Sequence, residues 1–130
     1  MRPMPTTTPK PAALAPEDIA AAARRAVDVA SDKQASDILL LDVRDVTTFA
    51  DYMVIMSANT PRQINALAED LTAAVKESGL ALHHREGTPS SGWLLLDFAD
   101  VIVHVFDQTQ RDYYQLEQVW RTARTVVRIQ

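Results

Sequence analysis

The sequence WLLLDFADVIVHVF, residues 93–106, decides the fold class. Trp93 to Asp97 and Val101 to Phe106 are two apolar runs of strand length, and only three residues separate them. So short a link predicts an antiparallel strand pair. Because side chains alternate along a strand, Trp93, Leu95 and Asp97 are expected to share one face.

Outside this pair, two more strands and two helices are predicted. The runs at residues 37–43 and 52–57 lack clean alternation, which is typical of strands covered on both faces. One helix begins at Pro16 and ends near Ser31, with two acidic residues in its first turn. A second occupies residues 61–78, where Thr60 caps the helix start, Pro61 takes the first position and Gln63 is placed for a capping box.

The rest of the chain completes a single α/β domain. Residues 80–85 are expected to form a strand, residues 86–92 a turn, and residues 109–120 a last helix. The basic residues 121–130 are expected to extend that helix or to fray. The predicted fold is one mixed sheet of about five strands with helices packed on it, which suits a chain of 130 residues.

Composition limits the possible functions. The chain has no cysteine, and no apolar run approaches the roughly 20 residues of a membrane helix. Residues 1–16 hold five of the seven prolines and are expected to be a disordered Pro/Thr-rich tail. Five of the 13 basic residues lie at the chain ends, which leaves residues 17–120 with 8 basic and 17 acidic side chains, a net charge of −9. Such a body is expected to attract a basic protein and not to bind nucleic acid directly, although acidity also serves solubility alone.

Catalytic and metal-binding patterns are weak. No serine lies in a G-x-S-x-G motif, and three glycines cannot form either glycine-rich phosphate loop. His83 and His84 are adjacent on a predicted strand, so they point to opposite faces and cannot chelate together, while His104 is expected to be a hydrogen-bonded core or rim residue. The aspartate pairs 42/45 and 97/100 have i,i+3 spacing, which favours turn caps over a magnesium site. No cofactor or metal is expected.

Aromatic residues indicate a binding surface. Six of the eight lie in residues 93–120, interleaved with acidic residues. Tryptophan and tyrosine often anchor protein interfaces because they bury a large area and keep a polar tip. The alternative is that they pack the last helix onto the sheet, and for Tyr113, Leu116 and Trp120 the two interpretations are equally open.

The order of the motifs resembles the ribosomal silencing factor family, RsfS, also called Iojap. The resemblance covers residues 17–120 and is most specific where the strand block ending in DVIVH is followed by a helix of pattern R-x-x-Y-x-L-E-x-x-W. Ala58 and Tyr113 depart from the glycine and phenylalanine common in the family. The segments that carry the resemblance, in chain order, are DILLLD (37–42), FADYMVI (49–55), NTPRQ (59–63), EG (86–87), GWLLLDFADVIVHVF (92–106) and RDYYQLEQVW (111–120).

The resemblance implies a nucleotidyltransferase-like fold that has lost catalysis. A bacterial cytoplasmic protein is expected, and an organellar homologue is the less favoured alternative. The resemblance also implies binding to the fourteenth protein of the large ribosomal subunit, which blocks subunit joining and represses translation when nutrients are short. Family members also tend to form homodimers when free. From the motif, Trp93 and Trp120 are expected to be apolar anchors, and Asp97, Asp100 and Glu117 partners for lysine or arginine. Leu95 and Tyr113 complete the predicted partner-binding set.

Two other functions remain open at this stage. An active nucleotidyltransferase on the same fold would require magnesium and would bind a nucleotide tightly. A dimerisation or assembly module would self-associate without sedimenting with large ribosomal subunits.

Overall fold

The sheet of this protein has six strands, one more than the sequence predicts. The structure, a computed structural model, describes residues 14–130. The strands are β1 (Ser36–Asp42), β2 (Tyr52–Ser57), β3 (His84–Thr88), β4 (Trp93–Asp97), β5 (Val101–Phe106) and β6 (Arg124–Ile129). The helices are α1 (Pro16–Asp32), α2 (Pro61–Glu77), α3 (Gln108–Tyr114) and α4 (Leu116–Val119), with a 3₁₀ turn at Pro89–Ser91.

The strands lie in the order β3-β4-β5-β2-β1-β6. Only β2 and β5 are parallel, and all other neighbours are antiparallel. The mixed α/β sheet and the antiparallel β4–β5 pair are therefore confirmed. The fold resembles the predicted architecture closely, whereas its likeness to nucleotidyltransferases stays a prediction.

The two faces of the sheet are covered differently. Helices α1 and α2 pack on one face and form the larger core with residues such as Val54, Leu67 and Leu96. On the opposite face a smaller cluster, which includes Ile55 and Phe106, is covered by side chains from the C-terminal segment. Every residue of β2 is buried, and so is the centre of β1, which confirms that both strands are covered on both sides.

The second helix begins as its sequence predicts. Thr60 Oγ1 accepts a hydrogen bond from the Gln63 backbone N–H at 3.1 Å, and Pro61 is the first helical residue. The Gln63 side chain reaches back to the Asn59 N–H at 2.7 Å. Thr60 therefore caps the helix as predicted, whereas Gln63 binds the N–H one residue before the cap, so the capping box forms only in part.

The C-terminal prediction is wrong, because β6 (Arg124–Ile129) takes the place of a helical extension in residues 121–130. Gln115 adopts φ 47° and ψ 51°, a left-handed conformation that interrupts the helix after Tyr114. Beyond the short α4, β-branched residues such as Val127 pair antiparallel with β1. The unpaired edge of β1 offers these residues hydrogen bonds that a frayed helix end would lack.

The hairpin before β4 also differs from the prediction. The strand expected at residues 80–85 lies at His84–Thr88, so part of the predicted turn is extended and pairs with β4. Gly87 permits this because it adopts φ +84°, and a Cβ there would lie 2.1 Å from the carbonyl oxygen of Trp93.

The predicted disordered tail, residues 1–16, falls mostly outside the described residues, which begin at Leu14. Leu14 is half-buried and packs against the larger core, and Pro16 already belongs to α1. The tail prediction is therefore wrong for Leu14, and the predicted helix start at Pro16 is confirmed. Among residues 14–130, no helix is long and apolar enough to cross a bilayer.

Candidate protein-binding face

Trp93, Leu95 and Asp97 lie on the sheet face opposite α1 and α2. All three are half-buried, whereas the alternating Leu94 and Leu96 are fully buried. The predicted sharing of one face is confirmed. We call this side of β3, β4 and β5 the open face, because only α3 and the segment after it pack there among the described residues.

A hydrogen bond and stacked rings fix the orientation of Trp93. Its indole Nε1–H donates to His104 Nδ1 at 3.1 Å. The indole also stacks on Phe106, with centroids 5.4 Å apart, and contacts Tyr114 at a tilt of 47°, with centroids 4.6 Å apart. Trp93 is thus held by His104, Phe106 and Tyr114 and is half-buried.

His104 is the buried, hydrogen-bonded residue that the sequence predicts. It is 4% exposed, and burial lowers the pKa of its imidazole to about 4. At neutral pH its ring is therefore uncharged, and Nδ1 must be the unprotonated nitrogen that accepts the hydrogen bond from the Trp93 Nε1–H.

Asp97 and Asp100 bracket the β4–β5 turn. Asp97 Oδ1 accepts the backbone N–H of Ala99 at 2.7 Å, as a turn cap does. The Asp100 carbonyl accepts the N–H groups of Asp51 and Tyr52 at 2.9 and 3.1 Å, so it joins the turn to the start of β2. Burial and then the nearby Asp100 charge raise the pKa of Asp51.

Asp42, at the end of β1, serves an ion pair. Its carboxylate accepts two side-chain hydrogen bonds from Arg44, at 2.7 and 3.0 Å. The Arg44 hydrogen bond lowers the pKa of Asp42 to about 2, against the opposing effect of burial. Within residues 14–130 no group of three or more His, Cys, Asp or Glu side chains is placed to hold a metal ion.

Arg111 and Glu117 join the broken helix to the sheet. Arg111 is 7% exposed, and its Nε donates to Glu117 Oε1 at 2.7 Å. Its Nη1 donates to Ser57 Oγ at 2.9 Å and to the Asp37 carbonyl at 2.6 Å. Asp37 lies at a bulge in β1 with φ 47°, which makes that carbonyl available. Glu117, predicted as a partner for an external cation, already has an internal one.

The remaining predicted residues are dispersed. Tyr113 is 77% exposed, and Trp120 is half-buried with its ring 5.6 Å from that of Phe49 in an edge-to-face contact. Residues 109–120 are predicted to form one helix, but the break at Gln115 places Tyr113 in α3 and Glu117 in α4. Trp120 belongs to the smaller core with Leu116, so packing accounts for its burial.

Several residues of this surface have roles that were not predicted from the sequence. Tyr114 packs against Trp93 and is the tyrosine of the R-x-x-Y-x-L-E pattern, yet the predicted partner-binding set names its neighbour Tyr113. Glu86 was assigned to a turn, although it lies on β3 directly opposite Leu95. The buried role of Arg111 could have been suspected only from its place in the R-x-x-Y-x-L-E pattern, since arginine is rarely buried unless paired.

Two concavities flank α3. One has a volume of about 250 Å³ beside Trp93. The other has a volume of about 470 Å³ and lies between the start of β1 and the α3–α4 segment, where Arg111, Glu117 and Arg128 contribute to its lining. The second has mixed charge and includes the Arg111–Glu117 pair already described.

Comparison with known proteins relates these features to a family. The family model described as "Ribosomal silencing factor during starvation" matches residues 16–130. The ribosomal silencing factor RsfS of Halalkalibacterium halodurans is 36% identical over 78% of this chain and 86% of its own length. That of Bacillus subtilis is 39% identical over 71% of this chain and 78% of its own length. A crystal structure of a protein from Chromobacterium violaceum superposes with a TM-score of 0.74 at 33% identity and covers 78% of this chain and 85% of that one.

The family match extends past residue 120, the predicted end of the resemblance. It therefore includes β6, which the sequence analysis had placed outside the domain. With the match covering nearly the whole chain, and with the fold agreeing, this chain belongs to the family of ribosomal silencing factors.

Proposed function

We propose that this protein represses translation by binding the large ribosomal subunit through that subunit's fourteenth protein. Binding there sterically blocks joining to the small subunit when nutrients are limiting. Membership of the ribosomal silencing factor family supports the regulatory part of the proposal. The observation that carries the binding part is the half-buried Trp93 indole, which a hydrogen bond to His104 holds on the open face.

The charge distribution supports a basic protein as the partner. Residues 17–120 carry a net charge of −9, and ribosomal proteins are basic as a class. Complementary fields accelerate and orient such encounters. The same charge disfavours direct contact with phosphate backbones, so we propose recognition of protein and not of RNA.

We further propose that the domain is not catalytic and acts in the bacterial cytoplasm. Two of its strand-end aspartates already have partners. Asp42 accepts a hydrogen bond from Arg44, and Asp97 accepts the backbone N–H of Ala99 in the turn that it caps. Homodimer formation by the free protein is part of the same proposal and is checked by sedimentation equilibrium.

Sucrose-gradient sedimentation with purified bacterial large subunits tests the function. The wild-type chain should move with the subunits and should reduce the formation of complete ribosomes when small subunits are added. Trp93→Ala should weaken both effects, and Trp93→Phe, which keeps a ring, should weaken them less. Glu69→Gln, on the exposed face of α2, serves as the control that should behave like wild type.

Thermal unfolding of the same variants separates binding from folding. If Trp93→Ala unfolds at a much lower temperature while binding per folded molecule is unchanged, Trp93 is a core residue and the proposed contact is wrong. If wild type itself does not sediment with large subunits, the proposed function fails.

A further inference from the structure

The 250 Å³ pocket beside Trp93 lies between the β3–β4 hairpin and α3. Small-molecule sites usually occupy about 300–1,000 Å³, so this one is sized for a single side chain. Two of its residues, Trp93 and Leu95, belong to the predicted partner-binding set. The complete lining is Glu86, Gly87, Ser91, Trp93, Leu95, Gln110 and Tyr114.

Strand register places Glu86 on the same wall as the aromatic residues. Glu86 lies directly opposite Leu95 in the β3–β4 pair, and directly opposed side chains have Cβ atoms about 4.5–5.5 Å apart. Trp93 is two residues from Leu95 and so shares its face. The carboxylate therefore lies at the rim of a wall made by Leu95, Trp93 and Tyr114.

The carboxylate has capacity for another donor. Its side chain is 65% exposed, and Oε1 makes a 2.9 Å contact with His84 Nε2. A carboxylate has about four acceptor sites on two oxygens, so Oε2 can accept further hydrogen bonds.

These walls favour one kind of occupant. An apolar side chain would remove Glu86 Oε2 from water without giving it a donor, which is costly, and an anion would be repelled by the carboxylate. A planar guanidinium can stack on the faces of Trp93 or Tyr114 while donating to the carboxylate. Arginine combines both properties, whereas lysine offers a point charge without the planar surface.

We propose that this pocket binds an arginine side chain of the protein partner, with its guanidinium between the Trp93–Tyr114 rings and the Glu86 carboxylate. The inference rests on the proposed function for the identity of the partner and deepens it by naming the group recognised. The pocket is preformed, because the Trp93 ring is tied to His104 and the Gly87 backbone contacts β4. Preformed sites lose less entropy on binding.

Titration of the free protein followed by NMR tests the pocket without a ribosome. The probe is N-acetyl-arginine amide, and the control is N-acetyl-citrulline amide, which has nearly the same shape without the charge. The indole N–H signal of Trp93 should shift with the arginine probe and much less with citrulline. The chain has only two tryptophans, so Trp120 is the internal reference and Trp120→Phe assigns the signals.

Variants identify the carboxylate and the ring. Glu86→Gln should raise the Kd of the arginine probe roughly threefold to tenfold, as removing an interaction of about 0.7–1.4 kcal/mol would. Tyr114→Leu should do the same, and Tyr114→Phe should not. Glu69→Gln should have no effect. Equal shifts from arginine and citrulline, or an unchanged Kd in Glu86→Gln, overturn the inference.

The gradient experiment distinguishes failure of the pocket from failure of the function. Wild type that sediments with large subunits but shows no arginine preference at Trp93 leaves the function intact and refutes the pocket. An arginine-specific shift that Glu86→Gln weakens supports the pocket, even if large subunits prove not to be the partner.

Discussion

Replacing Arg111 with methionine tests whether the Arg111–Glu117 pair supports the fold or awaits a partner. The arginine makes three hydrogen bonds, to Glu117, Ser57 and the Asp37 carbonyl, and is 7% exposed. Methionine retains apolar packing along the stem but leaves Ser57, which is 2% exposed, without its donor.

The expected loss is about 2–3 kcal/mol of unfolding free energy. Breaking a buried ion pair by removing one partner costs about 3–5 kcal/mol. The Glu117 side chain is 31% exposed, so water will solvate part of the orphaned carboxylate and reduce that figure. Glu117→Gln should lose about 1 kcal/mol, because Gln can still accept the Arg111 hydrogen bond.

Urea denaturation measures these losses. With a slope of about 1–3 kcal/mol per molar urea, the Arg111→Met midpoint should fall by about 0.7–3 M. The double variant Arg111→Met/Glu117→Gln should lose less unfolding free energy than the sum of the two single-variant losses, because it leaves no unpaired charge. If Arg111→Met loses less than about 0.5 kcal/mol while Glu117→Gln weakens subunit binding, the internal role is refuted and Glu117 contacts the partner.

Two further predictions concern pH and the hairpin. The unfolded chain takes up a proton at His104 near its ordinary pKa of 6.5, but the folded chain resists it until a pKa of about 4, so the unfolding free energy should fall as pH drops between these values. Urea titrations at a series of pH values should show a loss of about 3 kcal/mol in wild type that is absent in His104→Gln. An equal slope of unfolding free energy against pH in both proteins would contradict this prediction. Gly87→Ala should lower the unfolding temperature more than Gly79→Ala, because its Cβ meets the Trp93 backbone at 2.1 Å whereas that of Gly79 meets the flexible Leu14 side chain at 3.2 Å. Equal melting temperatures would show that the hairpin backbone adjusts.

The elements that sequence predicted well are those with local causes. The start of α2 depends on Thr60, Pro61 and Gln63, which are neighbours in the chain. The alternation of β4 follows from its apolar pattern and places Trp93, Leu95 and Asp97 on one face. These features need no knowledge of distant residues.

The errors have non-local causes. Helical spacing continues through residues 109–120, and nothing in Gln115 itself predicts a left-handed conformation. The break places Arg111 against Asp37 and Ser57, residues more than fifty positions away, and it directs the following segment to β1. Likewise Glu86 could be assigned to the binding wall only after the register of β3 against β4 was known.

The late position of β6 has a consequence for the kinetics of folding. β1 has β6 as its outer neighbour, and Asp42 pairs with Arg124 although most of the domain's sequence lies between them. Contacts so distant in sequence close slowly, so β1 should spend part of folding as a bare edge. A bare apolar edge such as Ile38 to Leu41 is a template for pairing between chains. Pairing of β6 with β1 therefore covers an edge that is prone to aggregate during folding. In the folded protein Arg124 and Arg128 leave the outer edge charged and less prone to pair with another molecule.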